Sequence, residues 1–176
     1  MKRGITAAKR AFTKMKHVLT NRRLSIENRK RLVKVYVWSV LCYGSEAWNI
    51  NKEAERKIEA AEMFFWRRLL KVSWTERKTN ERILQMMNTE RELLRRIRGR
   101  QMESLGHVMR REEIENICLT GRIEGTRARG RQREKFMDGL TRECGGIKAG
   151  RLLQLTRNRW VWKSMTANVF EGTAHR

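Results

Sequence analysis

The feature that most constrains the fold of this chain is the absence of proline from all 176 residues. Proline breaks helices more strongly than any other residue, and long helices also disfavour β-branched side chains. The chain is instead rich in Leu, Arg, Lys, Glu, Met and Ala, and 40% of it is hydrophobic, which is enough for a buried core. The sequence therefore predicts an all-α protein.

Apolar residues three or four positions apart predict the individual helices. The predicted helices cover residues 3–19, 26–42, 51–72, 80–87, 90–111, 134–143 and 149–169. Ser25 is expected to cap the second helix, and Gly44 is expected to stop it. Thr89 and Glu92 have the spacing of a capping box, in which each side chain bonds to the backbone amide of the other.

The predicted second helix is almost continuously apolar between residues 32 and 41, so we expect it to be the most buried element. Trp38, Trp66 and Trp162 lie in or beside apolar stripes and are expected in the core, whereas the role of Trp160 is left open. Glu62 is expected on the surface of the third helix. Two glycines inside the fifth helix, Gly99 and Gly106, should each weaken it by about 1 kcal/mol relative to alanine if they are exposed.

The net charge of +22, from 41 Lys and Arg against 19 Asp and Glu, is the strongest functional signal. A small domain normally carries a net charge of about 2–8, so this chain requires a polyanionic partner, and nucleic acid is the first candidate. No apolar run approaches the roughly 20 residues that span a bilayer, and the first 12 residues do not resemble a signal peptide. We expect an intracellular protein, nuclear or cytoplasmic, with reduced thiols and no membrane or small-molecule partner.

Two clusters of basic residues are the predicted nucleic-acid-binding sites. The cluster at the start of the chain consists of Lys2, Arg3, Lys9, Arg10, Lys14 and Lys16. The other is a glycine-spaced loop that carries Arg127, Arg129, Arg131 and Arg133. Alternating arginines on such a backbone could each bind a different phosphate, although the same loop could serve as a passive linker.

Catalytic and metal sites are not predicted anywhere in the chain. Asp138 is its only aspartate, whereas phosphoryl-transfer enzymes of the two-metal type need carboxylates that clamp two divalent ions. The carboxylates at residues 112, 113 and 115 are interpreted as a solvated helix end. His107, Cys118 and Cys144 lack the paired short spacing of zinc ligands, and His107 is expected to be a packed helix residue.

Several strings resemble the C-terminal region of non-LTR (LINE-type) retrotransposon reverse transcriptases. Residues 41–48 (LCYGSEAW) resemble that family's L-Y-G-C/S-E-x-W, and residues 67–74 (RRLLKVSW) its R-R-[LM]-L-x-[IV]-[SP]-W. Residues 105–110 (LGHVMR) match L-G-H-[VL]-x-R, and residues 125–133 (GTRARGRQR) resemble G-x-R-x-R-G-R-P-R. Residues 136–138 (FMD) then stand where the family has W-L-D. The departures are Gln132 for proline and Phe136 for tryptophan.

The resemblance implies a thumb-like helical bundle over residues 1–115, a helix end and basic loop over 116–135, and a smaller helical tail over 136–176. It also implies a non-catalytic fragment that grips template RNA or an RNA–DNA hybrid beside an upstream palm and fingers. The parent polymerase would use Mg²⁺, whereas this chain would hold no cofactor. The alternative is a decayed or domesticated remnant that acts only as a helical protein-interaction module. Helix-turn-helix binding is disfavoured, because the helix after residues 20–25 is too apolar to enter a DNA groove.

Overall fold

The structure is a computed structural model that describes residues 1–111, 114, 116, 117 and 136–171. Within these residues every regular element is helical and no strand occurs, which confirms the all-α prediction. The α-helices of this part are α1 (Lys2–Lys14), α2 (Lys16–Leu19), α3 (Ile26–Leu32), α4 (Trp38–Cys42), α5 (Lys52–Leu70), α6 (Asn80–Met87), α7 (Leu93–Met109), α8 (Phe136–Glu143), α9 (Ala149–Leu155) and α10 (Arg159–Glu171). A π-helical turn (Val33–Val37) joins α3 to α4, and 3₁₀ turns lie at Ser45–Ala47 and Trp74–Glu76.

The chain divides into two compact units. The first consists of Met1–Ser45 and Lys52–Leu94, and the second of Glu46–Asn51 and Arg95–Arg176. Helix α7 therefore begins in the first unit and continues in the second. The predicted boundary near residue 115 lies outside the described residues and stays a prediction. The predicted thumb-like arrangement stays a prediction.

The core of the first unit forms where α1 packs against α4, α5 and the π-helical turn. The rings of Phe12 and Phe65 stack with centroids 5.7 Å apart, and those of Trp38 and Trp66 lie 5.6 Å apart. All four side chains are buried, as their positions in the apolar stripes predict. The predicted helix over residues 3–19 is interrupted at Met15, whose φ of −99° and ψ of 8° separate α1 from α2.

The predicted second helix is present, but it is buried on one side only. Val33 and Val37 are fully buried. Val35 and Tyr36, in contrast, are 53% and 51% exposed, so the prediction of few solvent-facing positions is wrong. The π-helical turn gives this segment a different pitch from α3 and α4. An apolar sequence cannot show which of its sides a neighbour will cover.

Local signals at the helix ends account for most of the boundaries. The Ser25 hydroxyl accepts a hydrogen bond from the Asn28 amide (3.2 Å), which confirms the predicted cap of α3. Gly44 follows α4 with a φ of +67°. Glycine favours this left-handed conformation, which commonly ends a helix, as predicted for this position. Thr79 caps α6 by accepting from the Arg82 amide (3.2 Å), a cap that was not predicted.

The start of α7 is capped by a side chain from another helix, so the predicted capping box is wrong. The Glu62 carboxylate of α5 accepts from the backbone amides of Glu92 (3.0 Å) and Leu93 (3.3 Å) through its Oε1 atom. The Thr89 hydroxyl bonds instead to the carboxylate of Glu92 (2.8 Å). Glu62 is 1% exposed and not on the surface as predicted. Burial raises the pKa of its carboxyl group, and the two amides partly oppose that shift.

The second unit has its own apolar core. Its buried residues are Met102, Leu105, Met137, Leu140, Cys144, Leu152 and Trp162. The single helix predicted over residues 149–169 is two helices, because Asn158 begins a new one. Its side-chain oxygen accepts from the amides of Trp160 (3.1 Å) and Val161 (3.2 Å) at the start of α10.

The two glycines of α7 allow close packing of α10 in the second unit. A Cβ atom on Gly106 would lie 2.1 Å from Trp162 Nε1, and one on Gly99 would lie 2.4 Å from the Phe170 ring. The Trp162 ring cannot easily move away, because it is buried and its Nε1 donates to the Met102 carbonyl (2.9 Å). The glycines that were predicted only to weaken the helix therefore have a packing role.

Substitution of Glu62 tests its role as a buried cap. We expect Glu62→Ala to lower the free energy of unfolding by about 1–3 kcal/mol at pH 7, because the two amides lose their acceptor. Glu62→Gln retains an acceptor oxygen without the buried charge and should lose less. Urea unfolding at pH 7 measures both variants, and equal stability of Glu62→Ala and the parent protein would contradict the capping role.

The same pair of proteins should differ in pH dependence. A raised pKa means that the folded state binds more protons than the unfolded state at pH values just above 4.5. As the pH falls from 7 to 5, the stability of the parent protein should therefore rise relative to that of Glu62→Gln. A difference that stays constant over this range, or moves in the opposite direction, would show that the charge of Glu62 is not buried.

Alanine substitution of two helical glycines separates helix propensity from packing. Gly106→Ala should destabilise the protein by about 1–3 kcal/mol despite the better helix propensity of alanine, because the added methyl group overlaps with Trp162. Gly150 in α9 is the matched control, since a Cβ atom there has no neighbour within 4 Å. Gly150→Ala should stabilise the protein by up to about 1 kcal/mol. The prediction fails if both variants raise the melting temperature.

Candidate nucleic-acid interface

A groove in the first unit lies between α1 and α5 and has a volume of about 1090 Å³. Residues at helical spacing on α1, such as Lys2, Ile5 and Lys9, line one wall. On α5 the residues that line the groove recur every three or four positions. They lie on the helix face beside the face that is buried in the core. The same stacking of Phe12 on Phe65 that holds the two helices together therefore fixes the position of the groove walls.

The lining of the groove is strongly basic. Among the residues that the structure describes, its cationic members are Lys2, Lys9, Arg56, Lys57, Arg67, Arg68 and Arg91, and its one acidic member is Glu59. The Glu59 carboxylate is paired with Arg91 at 2.8 Å. Lys57 is paired with Glu53 on the same helix. The pairing of Glu59 leaves the potential inside the groove positive, which favours an anionic ligand.

Two of these cations lie against an aromatic ring. Lys9 Nζ is 4.6 Å from the centroid of the Phe64 ring, and Arg68 Cζ is 4.5 Å from it. Such cation–π contacts are worth about 0.5–1 kcal/mol at exposed sites, which is less than a charge-assisted hydrogen bond to phosphate can supply. Within the described residues neither cation has a carboxylate partner. Both can therefore turn to an anion at little cost.

Arg67 has a different part in the groove. Its guanidinium group donates to the carbonyl of Lys78 (2.6 Å) and to the side-chain oxygen of Asn80 (3.1 Å). These bonds hold the start of α6 close to the end of α5. Arg67 thus contributes charge to the groove while its position is fixed by the fold.

The structure brings only part of the predicted site together. Of the predicted basic cluster at the start of the chain, Lys2 and Lys9 line the groove. Arg10, Lys14 and Lys16 are exposed on α1 and α2 but are not part of the groove lining. The loop arginines Arg127, Arg129, Arg131 and Arg133 lie outside the described residues, so their predicted role stays a prediction.

The α5 contribution to the groove was missed by the sequence interpretation. Arg56, Phe64 and Arg68 recur at steps of eight and four residues, which places them on one face of a helix. The stronger apolar stripe of Ile58 and Phe65 on the same helix dominates the sequence pattern and obscures this spacing.

The core tryptophans and the Cys144 thiol are poorly suited to a further site. Trp38, Trp66 and Trp162 are buried, as predicted, and are unavailable for stacking on bases. Burial raises the pKa of the Cys144 thiol to about 11, with a smaller contribution from Glu143, so this thiol is a poor nucleophile at neutral pH.

His107 and Trp160 are both exposed. His107 is exposed on α7, so the expectation of a packed histidine is wrong. Trp160, whose role was left open, is 82% exposed. In the described part of the chain, no three His, Cys, Asp or Glu side chains are grouped as metal ligands would be. None of the helices described is both long enough and apolar enough to cross a membrane.

Comparisons of the chain with protein-family models, with curated proteins and with solved structures found no match. Its function is therefore inferred from its own residues. The feature that bears most directly on function in the described part is the basic groove between α1 and α5.

Proposed function

We propose that this chain is the nucleic-acid-binding C-terminal part of a non-LTR retrotransposon reverse transcriptase, which grips the backbone of a template–primer without polymerising it. The observation that carries the nucleic-acid part of the proposal is the groove between α1 and α5, where Lys9 and Arg68 face a cavity with little opposing charge. The assignment to a reverse transcriptase rests on the strings that resemble that family. The all-α fold is compatible with a thumb-like role.

Electrostatics favour contact with the nucleic-acid backbone over contact with base edges. Cations that bind phosphates release condensed counterions, and this release drives binding without regard to sequence. The net charge of +22 gives the whole chain an attraction to polyanions. The groove provides a place where several cations are held by packed helices and not by flexible segments.

The proposal assigns polymerisation to other parts of a longer protein. A polymerase of this type needs paired aspartates for two metal ions, and Asp138 is the only aspartate of the chain. The palm and fingers that would carry those aspartates are the proposed protein partners. RNA template or an RNA–DNA hybrid is the proposed ligand.

A second candidate function is supported by a separate observation. Four apolar side chains are exposed between the π-helical turn and the residue that follows α4, namely Val35, Tyr36, Val40 and Tyr43. Exposed apolar side chains on one segment are typical of protein-interaction surfaces. A remnant that acts only as a helical interaction module would use this surface and would not depend on the groove.

Removal of two groove cations tests the nucleic-acid proposal. In the double variant Lys9→Ala with Arg68→Ala, the slope of log affinity against log salt should become shallower by about 1.4–1.8 units, since each lost phosphate contact contributes about 0.7–0.9. Fluorescence anisotropy with a labelled RNA–DNA hybrid over a salt series measures the slope.

The matched control is Arg22→Ala with Arg23→Ala, which removes the same charge from exposed positions outside the groove. A control slope within about half a unit of the parent value is expected. Equal changes in both double variants would mean that binding depends on net charge and not on the groove. Unchanged slopes in both would show that the groove does not bind the phosphates, whereas no measurable binding by the parent protein would favour the interaction-module function.

The loop arginines provide an independent prediction. Changing Arg127, Arg129, Arg131 and Arg133 to alanine should flatten the salt slope by up to about three units and weaken binding alike on unrelated sequences. Helicity measured by circular dichroism should stay the same. Parent-like affinity and slope would identify the loop as a passive linker and leave the groove as the binding site.

A further inference from the structure

The groove between α1 and α5 has an apolar floor as well as basic walls. Ile5, Ala60, Phe64 and Val72 all line it, and none of them is fully buried. A surface that only contacts phosphates does not need apolar side chains, because phosphate oxygens bind charged and polar groups. The floor therefore indicates that part of the ligand is apolar.

The ring of Phe64 is the part of the floor best suited to a flat ligand. It is partly exposed to the groove, and its edge-to-face contact with Phe65 (centroids 5.5 Å apart, interplanar angle 80°) fixes its orientation. Lys9 and Arg68 lie within 5 Å of its centroid. An aromatic ring with cations at this distance offers both a stacking surface and phosphate contacts within the reach of one nucleotide.

The size of the groove is consistent with a nucleotide. Its volume of about 1090 Å³ is close to the upper end of the roughly 300–1,000 Å³ found for pockets that enclose small organic ligands. The bases of a duplex are stacked inside the helix and cannot turn a face towards the floor. An unpaired base can turn a face towards the floor, because it has no base pair to break.

We infer that the groove binds unpaired nucleotides of a single strand, with a base stacked on Phe64 and the adjacent phosphates bound by Lys9 and Arg68. This inference rests on the proposed function and adds a ligand class to it. It predicts that the chain prefers single strands or strand ends over continuous duplex. RNA and DNA share the chemistry involved, so both are tested.

Phe64 variants of the full chain provide the test. The probes are a labelled 15-nucleotide oligouridylate, the matching oligothymidylate, a 15-base-pair RNA–DNA hybrid, and a 15-nucleotide strand that is abasic throughout. Phe64→Leu keeps an apolar side chain but removes the π-face, whereas Phe64→Tyr keeps the π-face. Thermal unfolding followed by circular dichroism checks that each variant is folded.

We expect Phe64→Leu to weaken binding of the two single strands about 5- to 150-fold, the range for loss of one base-stacking contact. Its salt slope should equal that of the parent protein, because no charge is removed. Binding of the hybrid should change less than about twofold. Phe64→Tyr should bind single strands as the parent does, and the abasic strand should bind the parent protein and Phe64→Leu equally.

Three outcomes would overturn the inference. They are parent-like binding of single strands by Phe64→Leu, an equal loss on single strands and hybrid, and competition by a 15-residue polyglutamate as strong as that by the oligonucleotides. If the Lys9 and Arg68 double variant also keeps the parent slope, the proposed function fails as well. If that slope flattens while Phe64→Leu binds normally, the groove grips phosphates alone.

Discussion

The first unit depends on a carboxylate that is out of contact with water. Glu62 lies on α5 among Phe65, Trp66 and the other side chains of the core, and it supplies the acceptor for the first amides of α7. A carboxylate at a helix start also interacts favourably with the helix dipole. Because α5 forms one wall of the groove, this single interaction links the first residues of α7, which lie in the first unit, to the element that carries Arg56, Phe64 and Arg68.

Buried cations have the complementary role at helix ends. Arg29 donates to the Leu69 carbonyl near the end of α5 (3.2 Å), and Lys30 donates to the Asn88 carbonyl just after α6 (3.2 Å). Both side chains are buried despite their charge. Cations suit the C-terminal ends of helices, where backbone carbonyls lack partners. Part of the positive charge of the first unit is thus used to satisfy its own backbone.

The sequence predicted where most helices lie, but it did not predict which helices pack against each other. Periodicity predicted α5 and α6 to within two residues at each end, because their apolar positions recur at helical spacing. It failed at Met15 and at residues 156–158, where a single residue or a side-chain cap interrupts an otherwise continuous pattern. Burial of Glu62 and exposure of Tyr36 depend on which helix packs against each of them. A single amino-acid sequence does not show which helices are neighbours. For the same reason, charge alone predicts Lys9 as a site residue. The place of Phe64 in the groove depends on the position of α1 beside α5.

The distribution of tryptophans makes each unit observable by its own emission. The Trp38–Trp66 pair lies in the first unit, with ring centroids 5.6 Å apart, and Trp162 is buried in the second, where its indole nitrogen bonds to Met102. A chain in which Trp48, Trp160 and Trp162 are replaced by phenylalanine would keep tryptophans only in the first unit and would report on its opening. The order in which the two units open on heating is therefore open to direct spectroscopic observation.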